Sequence, residues 1–335
     1  MYSCWEELDF WDRKGRDMSG KIDLDLAALG DLGYGKSLAI VGLERGSGKT
    51  TLTDNLLQLS RRTNSPVAVL SIGYERPARG SNSSSGHYHG ASLPRPAATE
   101  STETTGEYRV SPGDLVFTTL ALLHRAQIEA EILALSEGRA DLGGLVLARV
   151  HRPGRVSLAG AEHFSQLAEM IRLIRTSNWA HTILVDGAAG RITQIRALGE
   201  DLQFILTVHL NRRNYVSSLA RLRFLDQAAS TPVLDANAWQ TACGSDSSAY
   251  VNWTGPLCQS DLAALPQDLK LLRLEDLTKV FIEPTAYARL YQRGQICLAR
   301  SIQPLAVYVS TQGLGPSEQI ELEETMPHLQ VLIDK

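Results

Sequence analysis

The segment GLERGSGKTTL, residues 42–52, limits the fold of this chain more narrowly than any other. The apolar run SLAIVG (37–42) precedes it, and leucines at helical spacing follow in KTTLTDNLLQLSRRT (49–63). Short apolar runs of this kind are typical of buried parallel strands. The order is therefore strand, glycine-rich turn and helix, an arrangement that surrounds a phosphate group with backbone N–H groups and a helix N-terminus.

The start of this turn departs from the usual phosphate-loop pattern, G-x-x-x-x-G-K-[ST], at one position. The pattern requires a glycine at position 43, where the chain has Leu43, and the glycine lies one residue earlier, at Gly42. A longer variant of the loop fits the strand and helix around it, and such a loop predicts bound ATP and Mg²⁺. The expected nucleotide-binding residues are Gly42, Glu44, Arg45, Gly46, Ser47, Gly48, Lys49, Thr50 and Thr51.

Lysine usage supports the same interpretation. Lys49 is the only lysine between Lys36 and Lys270, a span in which the other basic residues are arginines and histidines. An ammonium group is compact enough to lie inside a phosphate loop, whereas a planar guanidinium is not. An exposed Gly-Ser turn ahead of a helix is the alternative interpretation.

A second feature is a predicted strand that ends in a carboxylate, HTILVDGAAG (181–190). In phosphate-loop proteins, an acid at this position holds Mg²⁺ or its water shell. We therefore predict Lys49 and Asp186 as catalytic residues and Thr50 and Asp186 as metal ligands. An aspartate that only caps a turn is the alternative.

Apolar runs alternate with helical patterns such as 161–176 along the chain. The pattern predicts an α/β fold with a mostly parallel sheet and helices on both faces, whose ligands bind beyond the carboxyl ends of the strands. The predicted strands are 37–42, 67–72, 114–119, 144–150, 181–187, 203–209, 279–283, 305–310 and 329–333.

The predicted organisation has three parts: a tail (1–20), a nucleotide-binding domain (21–230) and a C-terminal α/β extension (231–335). Within the domain, residues 75–112 are dominated by Gly, Ser, Thr, Pro and Ala. Such a composition buries too little apolar surface to offset the entropy of ordering, so it predicts a flexible insertion. A solvated loop and a lid over the nucleotide are both compatible with it.

The bulk composition excludes several classes of protein. With a net charge of −4 and no long basic run, the 335 residues do not predict a nucleic-acid partner. No apolar stretch approaches the length of a membrane span, and the N-terminus shows no signal-peptide pattern. The four cysteines lack metal-ligand spacing, so a cytoplasmic protein with reduced thiols is expected.

The loop also resembles that of the dethiobiotin synthetases, since Gly42–Thr50 has the length and register of their G-T-D-T-x-V-G-K-T. VDGAAG (185–190) is similar to their V-E-G-A-G-G. The resemblance implies the branch of phosphate-loop proteins that includes those enzymes and the MinD-type ATPases. The MinD signature lysine would fall near Glu44, which disfavours a MinD-style homodimer. The synthetases' second-strand lysine would fall near Ser71, and because no lysine occurs in residues 50–269, their carboxylation chemistry is not expected here.

A broader resemblance covers roughly residues 30–335. LAIVGLERGSGKTTL, DLVFTT, LARVHRPGRVSLAG, ILVDGAAGR and KVFIEPTAYARLYQRG occur in the order seen in the ATP-binding reactivase subunits of lysine 5,6-aminomutase and ornithine aminomutase. The chain departs from that family in the 75–112 insertion and in the residues that precede Gly48. The resemblance implies an ATP-hydrolysing accessory protein whose partner is an adenosylcobalamin-dependent enzyme or a companion reactivase subunit.

Other functions remain open at this stage. A metabolic enzyme, a kinase or ligase of the dethiobiotin synthetase kind, would need a site for a small anionic substrate. RVHRPGRVSLAG (149–160), with Arg149, His151, Arg152 and Arg155, is the best candidate for it, although a solvated loop explains it equally well. Asn211 follows a predicted strand where related proteins read the base, and turn capping is its alternative role. A nucleotide-binding regulator with little turnover and a homodimer also remain open.

Overall fold

The computed structural model describes residues 35–44, 46–60, 65–72, 107–140, 143–161, 163–187, 198, 202–244 and 249–334. The predicted tail, Arg45 and most of the predicted insertion lie outside these ranges. Within them the strands are β1 (Ser37–Gly42), β2 (Val67–Ser71), β3 (Glu107–Val110), β4 (Leu115–Thr119), β5 (Ala130–Ala140), β6 (Gly143–Val150), β7 (Gly154–Ser157), β8 (Thr182–Asp186), β9 (Gln203–Asn211), β10 (Tyr250–Asn252), β11 (Leu257–Cys258), β12 (Leu271–Leu274), β13 (Val280–Phe281), β14 (Ile296–Leu298), β15 (Ala306–Gln312) and β16 (Val331–Asp334).

The helices of the same ranges lie between these strands. They are α1 (Lys49–Ser60), α2 (Leu120–Arg125), α3 (Phe164–Thr176), α4 (Tyr215–Ala229), α5 (Ala236–Cys243), α6 (Pro284–Gln292) and α7 (Pro316–Thr325), together with 3₁₀ helices at Gln259–Ala264 and Leu277–Lys279. In the described part of the chain, no helix is long and apolar enough to cross a membrane.

A nine-stranded sheet in the order β16-β15-β9-β1-β8-β2-β4-β6-β5 forms the centre of the fold. The seven strands from β16 to β4 are parallel, which confirms the predicted α/β class with a mostly parallel sheet. Both faces of such a sheet must be covered, because its strands carry apolar side chains on alternating sides.

Alternate residues of β1 belong to two different cores. Ala39 and Val41 face the core that contains the buried stripes of α3 and α4, while Leu38 and Ile40 face the core that contains Leu52, Leu56 and Leu57 of α1. Helices thus cover both faces, as predicted. The second face is also covered by a two-stranded antiparallel ribbon, β3–β7.

This ribbon corrects the boundary of the predicted insertion. Residues 107–112 belong by composition to the polar segment 75–112, yet Glu107–Val110 form a strand in which Tyr108 and Val110 are buried. These two side chains alternate with exposed neighbours and complete the core beneath α1. Only the part of the predicted insertion before residue 107 lies outside the described residues.

The direction of β6 corrects a second expectation. The sequence predicts one more parallel strand at residues 144–150, but β6 runs antiparallel to β4 and pairs with β5 in a hairpin. The register places Leu115, at the start of β4, opposite Arg149, near the end of β6. The chain after β6 therefore emerges at the amino-terminal edge of the parallel strands.

The C-terminal third divides between two places in the fold. β15 and β16 join the main sheet beside β9, whereas residues 231–304 carry the smaller sheets β10-β12-β14 and β11-β13. One face of β12 and β14 packs into the main core through Leu272, Leu274, Ile296 and Leu298. The predicted extension 231–335 is therefore an inserted unit followed by the closing strands of the sheet.

Candidate nucleotide-binding site

The carboxyl edge of the sheet brings together the two segments predicted to form a site. β1 lies between β8 and β9, with Ile40 opposite Asp186 and Gly42 opposite Thr207. The turn after β1 and the carboxylate that ends β8 are therefore neighbours, because parallel strands end at the same edge. This adjacency is what the sequence predicts for the phosphate and metal halves of one site.

The turn after β1 is compact enough to require glycine at position 42. A Cβ atom on Gly42 would lie 2.2 Å from Ser47 Oγ and 2.9 Å from the carbonyl oxygen of Glu44. Gly46 and Gly48 have φ angles of +76° and +85°, which favour glycine. The turn thus folds back over the end of β1 and forms a cradle lined by backbone.

Two hydrogen bonds attach the turn to β9. The Ser47 and Thr207 hydroxyls are 2.9 Å apart and both are buried, and Leu43 N donates to Thr207 O at 2.9 Å. The Ser47 side chain therefore holds the shape of the loop, and only its backbone remains for a ligand. Thr207 was not singled out by the sequence analysis, because a threonine inside an apolar strand is also an ordinary strand residue.

Lys49 lies at the first position of α1 and is almost wholly buried. Its aliphatic part runs over Gly42, since a Cβ there would be 3.1 Å from Lys49 Cδ. The first turn of α1 carries no acidic side chain. The first N–H groups of a helix have no carbonyl partner within that helix. Here they point towards the cradle, an arrangement that suits a bound anion. Thr51 has an exposed side chain.

The predicted metal ligands are in contact. Thr50 Oγ1 donates a hydrogen bond to Asp186 Oδ2 at 3.2 Å, and Asp186 is buried at the end of β8. A hydroxyl beside a carboxylate is the donor set that Mg²⁺ takes from a protein when phosphate oxygens and water complete its shell. No group of three or more His, Cys, Asp or Glu residues in the described ranges could hold a metal by itself.

Tyr108 is a further member of the site. Its hydroxyl donates to the same oxygen, Asp186 Oδ2. By composition this residue belongs to the polar segment 75–112. The only local signal was the four-residue alternation of EYRV (107–110), which is too short to predict a strand amid Gly, Ser and Thr.

Gly187 brings the ends of β8 and β1 into close contact. A Cβ on Gly187 would lie 2.8 Å from Ile40 O, and Gly187 N donates to that oxygen at 2.8 Å. The backbone directly after Asp186 is therefore held against β1.

Two polar residues expected near the nucleotide have partners within the protein. Glu44 Oε1 accepts a hydrogen bond from Asn214 Nδ2 at 2.6 Å, so its side chain points to the turn after β9. Asn211 Oδ1 accepts from the N–H groups of Arg213 and Asn214, at 2.9 and 3.2 Å. This contact is the turn-capping role, the alternative to base recognition.

The arginine-rich segment 149–160 does not begin at this edge of the sheet. Arg149 and Arg152 lie at the amino-terminal edge, where they form ion pairs with Glu131 at 3.3 Å and Glu129 at 2.7 Å. Because β6 runs antiparallel, these two residues are not brought to the loop after β1, where a substrate site beside the phosphates would lie, and their exposed ion pairs fit the solvated-loop alternative. Arg155 lies on β7 opposite Arg109, beside α1.

Comparison of the chain with protein-family models, curated proteins and solved structures gives no match.

Proposed function

We propose that the protein binds ATP and Mg²⁺ at the carboxyl edge of β1 and hydrolyses the nucleotide. The observation that supports this most is the contact of Thr50 with Asp186, 3.2 Å apart, directly beside the buried Lys49. The residues fit the expected ligands in two ways. The loop leaves no room for a Cβ at Gly42, and the donor set is a hydroxyl and a carboxylate.

Each part of the site has a role in this proposal. The Lys49 ammonium and the first-turn N–H groups of α1 would hold the β- and γ-phosphates. Thr50 and Asp186 would hold Mg²⁺ directly or through water. Bound Mg²⁺ would neutralise charge that develops on the transferred phosphoryl oxygens.

We propose further that the ATPase serves a partner enzyme, in the manner of the aminomutase reactivase subunits that the sequence resembles. The partner would then be an adenosylcobalamin-dependent enzyme or a companion subunit. Differential binding of ATP and ADP would bias two states of the protein, because a ligand shifts an equilibrium only by its difference in affinity for the states.

The alternative, a kinase or ligase for a small anionic substrate, has less support. Its main candidate residues included Arg149 and Arg152, which lie at the other edge of the sheet in ion pairs. Their position therefore favours an accessory ATPase over a small-molecule enzyme. It does not indicate which partner the ATPase would serve.

The experiment that tests the site compares the wild type with Asp186→Asn. Binding of a slowly hydrolysed ATP analogue is measured by calorimetry, and phosphate release is measured with and without Mg²⁺. We expect Asp186→Asn to lose hydrolysis far more than analogue binding, because the metal acts mainly on charge in the transition state. Normal magnesium-dependent turnover in the variant would exclude the proposed metal role.

The accessory role is tested separately. Immobilised protein is loaded with the ATP analogue or with ADP and then mixed with an adenosylcobalamin-dependent aminomutase. The proposal predicts retention that depends on the nucleotide and turnover that rises with the aminomutase. Turnover stimulated instead by small carboxylic acids, with no effect of the aminomutase, would support the small-molecule enzyme.

A further inference from the structure

We infer that Tyr108 is a positioning residue for the magnesium ligand Asp186, so that strand β3 sets the metal affinity of the site. This inference rests on the proposed function, since it concerns the metal of the same site. It assigns a role to a residue far from the loop and from β8 in the sequence.

Asp186 Oδ2 receives two hydroxyl donors from two different elements of the fold. One comes from Thr50, on the helix that follows the loop, and the other from Tyr108, on β3. Both Tyr108 and Asp186 are buried, at 3% and 8% exposure. A donor on one carboxylate oxygen fixes the orientation of the whole group, as outer partners of metal ligands commonly do.

Strand β3 is itself fixed to α1. Asp54 accepts hydrogen bonds from Arg109 N at 2.9 Å and Arg109 Nε at 2.7 Å, and Arg109 Nη2 lies 2.6 Å from the same carboxylate. Thr50 and Asp54 are four residues apart on α1, so they lie on one side of the helix. The strand thus spans one helical turn and contacts both the metal-site helix and Asp186.

When Mg²⁺ is held at Thr50 and Asp186, Thr50 would itself be a metal ligand, whereas Tyr108 would contact only the Asp186 carboxylate. Tyr108 would then be a donor that holds Asp186 in place without binding the metal. Removing the Tyr108 hydroxyl should therefore weaken the metal more than the nucleotide. Loss of an outer partner of this kind commonly lowers metal affinity about 10- to 100-fold.

The test is Tyr108→Phe, which deletes only the hydroxyl. Calorimetry gives the ATP dissociation constant in EDTA and at a series of Mg²⁺ concentrations. We expect the EDTA value to stay within about twofold of wild type and the half-saturating Mg²⁺ concentration to rise roughly tenfold or more. An unchanged or lower Mg²⁺ requirement would overturn the inference, the lower value indicating that Tyr108 competes with the metal.

Tyr308→Phe is a matched control. Tyr308 is also 3% exposed and also donates to an aspartate, but this aspartate is Asp334 on β16 and not Asp186. We expect it to leave the Mg²⁺ requirement unchanged, because its carboxylate is not in the site. An equal shift in both variants would show a general effect on the sheet and would also overturn the inference.

Arg109→Ala keeps the inference testable if Tyr108→Phe does not fold. Arg109 is half exposed, so the loss of its side chain leaves no cavity, yet it removes both guanidinium contacts with Asp54 and leaves only the bond from Arg109 N. We expect a smaller rise in the Mg²⁺ requirement, and no rise in this variant would contradict a role of β3. If wild-type protein binds no ATP with or without Mg²⁺, the proposed function fails, which is distinct from a failure of the Tyr108 role.

Discussion

The shape of the loop after β1 depends on the absence of a single atom, the Cβ that Gly42 lacks. Gly42 has no space for a methyl group, whereas a Cβ on Gly144, at the start of β6, would meet open space, and the φ angle of Gly144 lies outside the left-handed region. Comparing substitutions at Gly42 and Gly144 therefore distinguishes a specific need for glycine in the cradle from a general preference for glycine near strand ends.

Gly42→Ala should lower ATP affinity roughly tenfold, because the cradle would relieve a strain of about 1–3 kcal/mol by shifting Ser47 and the Glu44 carbonyl, and restoring the binding shape would then cost a similar energy, of which 1.4 kcal/mol is a factor of ten. Gly144→Ala is the matched control and should bind ATP like the wild type. Calorimetry on both folded variants checks the prediction. Equal affinities would mean that the cradle does not contact the nucleotide.

At the scale of elements, the sequence predicts the presence of a strand better than its direction. The apolar run GLVLARV correctly predicts the strand β6, and most of its apolar residues are buried there. Its direction depends on the connection to β5, which spans only residues 141–142, too short for the crossover that a parallel pair requires. The sequence of β5 has no regular alternation of apolar and polar residues, so it does not predict the hairpin.

The direction of β6 leads to a prediction for its outgoing loop. Arg152→Ala removes an ion pair between two mostly exposed side chains, a contact that contributes about 0–1 kcal/mol to stability. We expect the variant to keep wild-type ATP turnover and nearly wild-type thermal stability. A large loss of turnover in phosphate-release assays would indicate that this loop contributes to the active site.

At the scale of the whole molecule, the inserted unit 231–304 forms part of the same fold. Cys297 on β14 is buried against Leu234 and Leu271, on the side of the small sheet that faces away from the main core. Burial raises the pKa of the Cys297 thiol from its ordinary value of 9.0 to about 12. The thiol therefore stays neutral in the folded protein at a pH where the unfolded chain would ionise it.

The sign of the resulting pH dependence follows from proton binding. Between pH 9 and about 12 the folded state keeps the Cys297 proton and the unfolded state loses it, so the free energy of unfolding falls as pH rises. Denaturant unfolding across this range should show a shallower fall in Cys297→Ala than in the wild type. Parallel pH slopes would mean that the thiol is accessible to water in the folded state.

The division of the C-terminal third could not be predicted from local patterns. The apolar runs at 305–310 and 329–333 correctly predict β15 and β16, but pairing with β9 joins residues about a hundred positions apart. The position of Asp186 beside the loop after β1 was predictable, because Asp186 ends a recognisable strand. Tyr108 was not, because its contact with Asp186 also depends on the three-dimensional path of β3.

Titration of ATP·Mg²⁺ into the wild type and into Lys49→Ala tests the central claim most directly, with Lys270→Ala as the control. Lys270 lies in the inserted unit over the Tyr250 ring, away from the loop. We predict that Lys49→Ala stays folded and loses tenfold or more in affinity, since a hydrogen bond to a charged group contributes roughly 1.5–3 kcal/mol. Lys270→Ala should bind as the wild type does. Equal affinity in all three proteins would contradict a nucleotide site at the loop after β1.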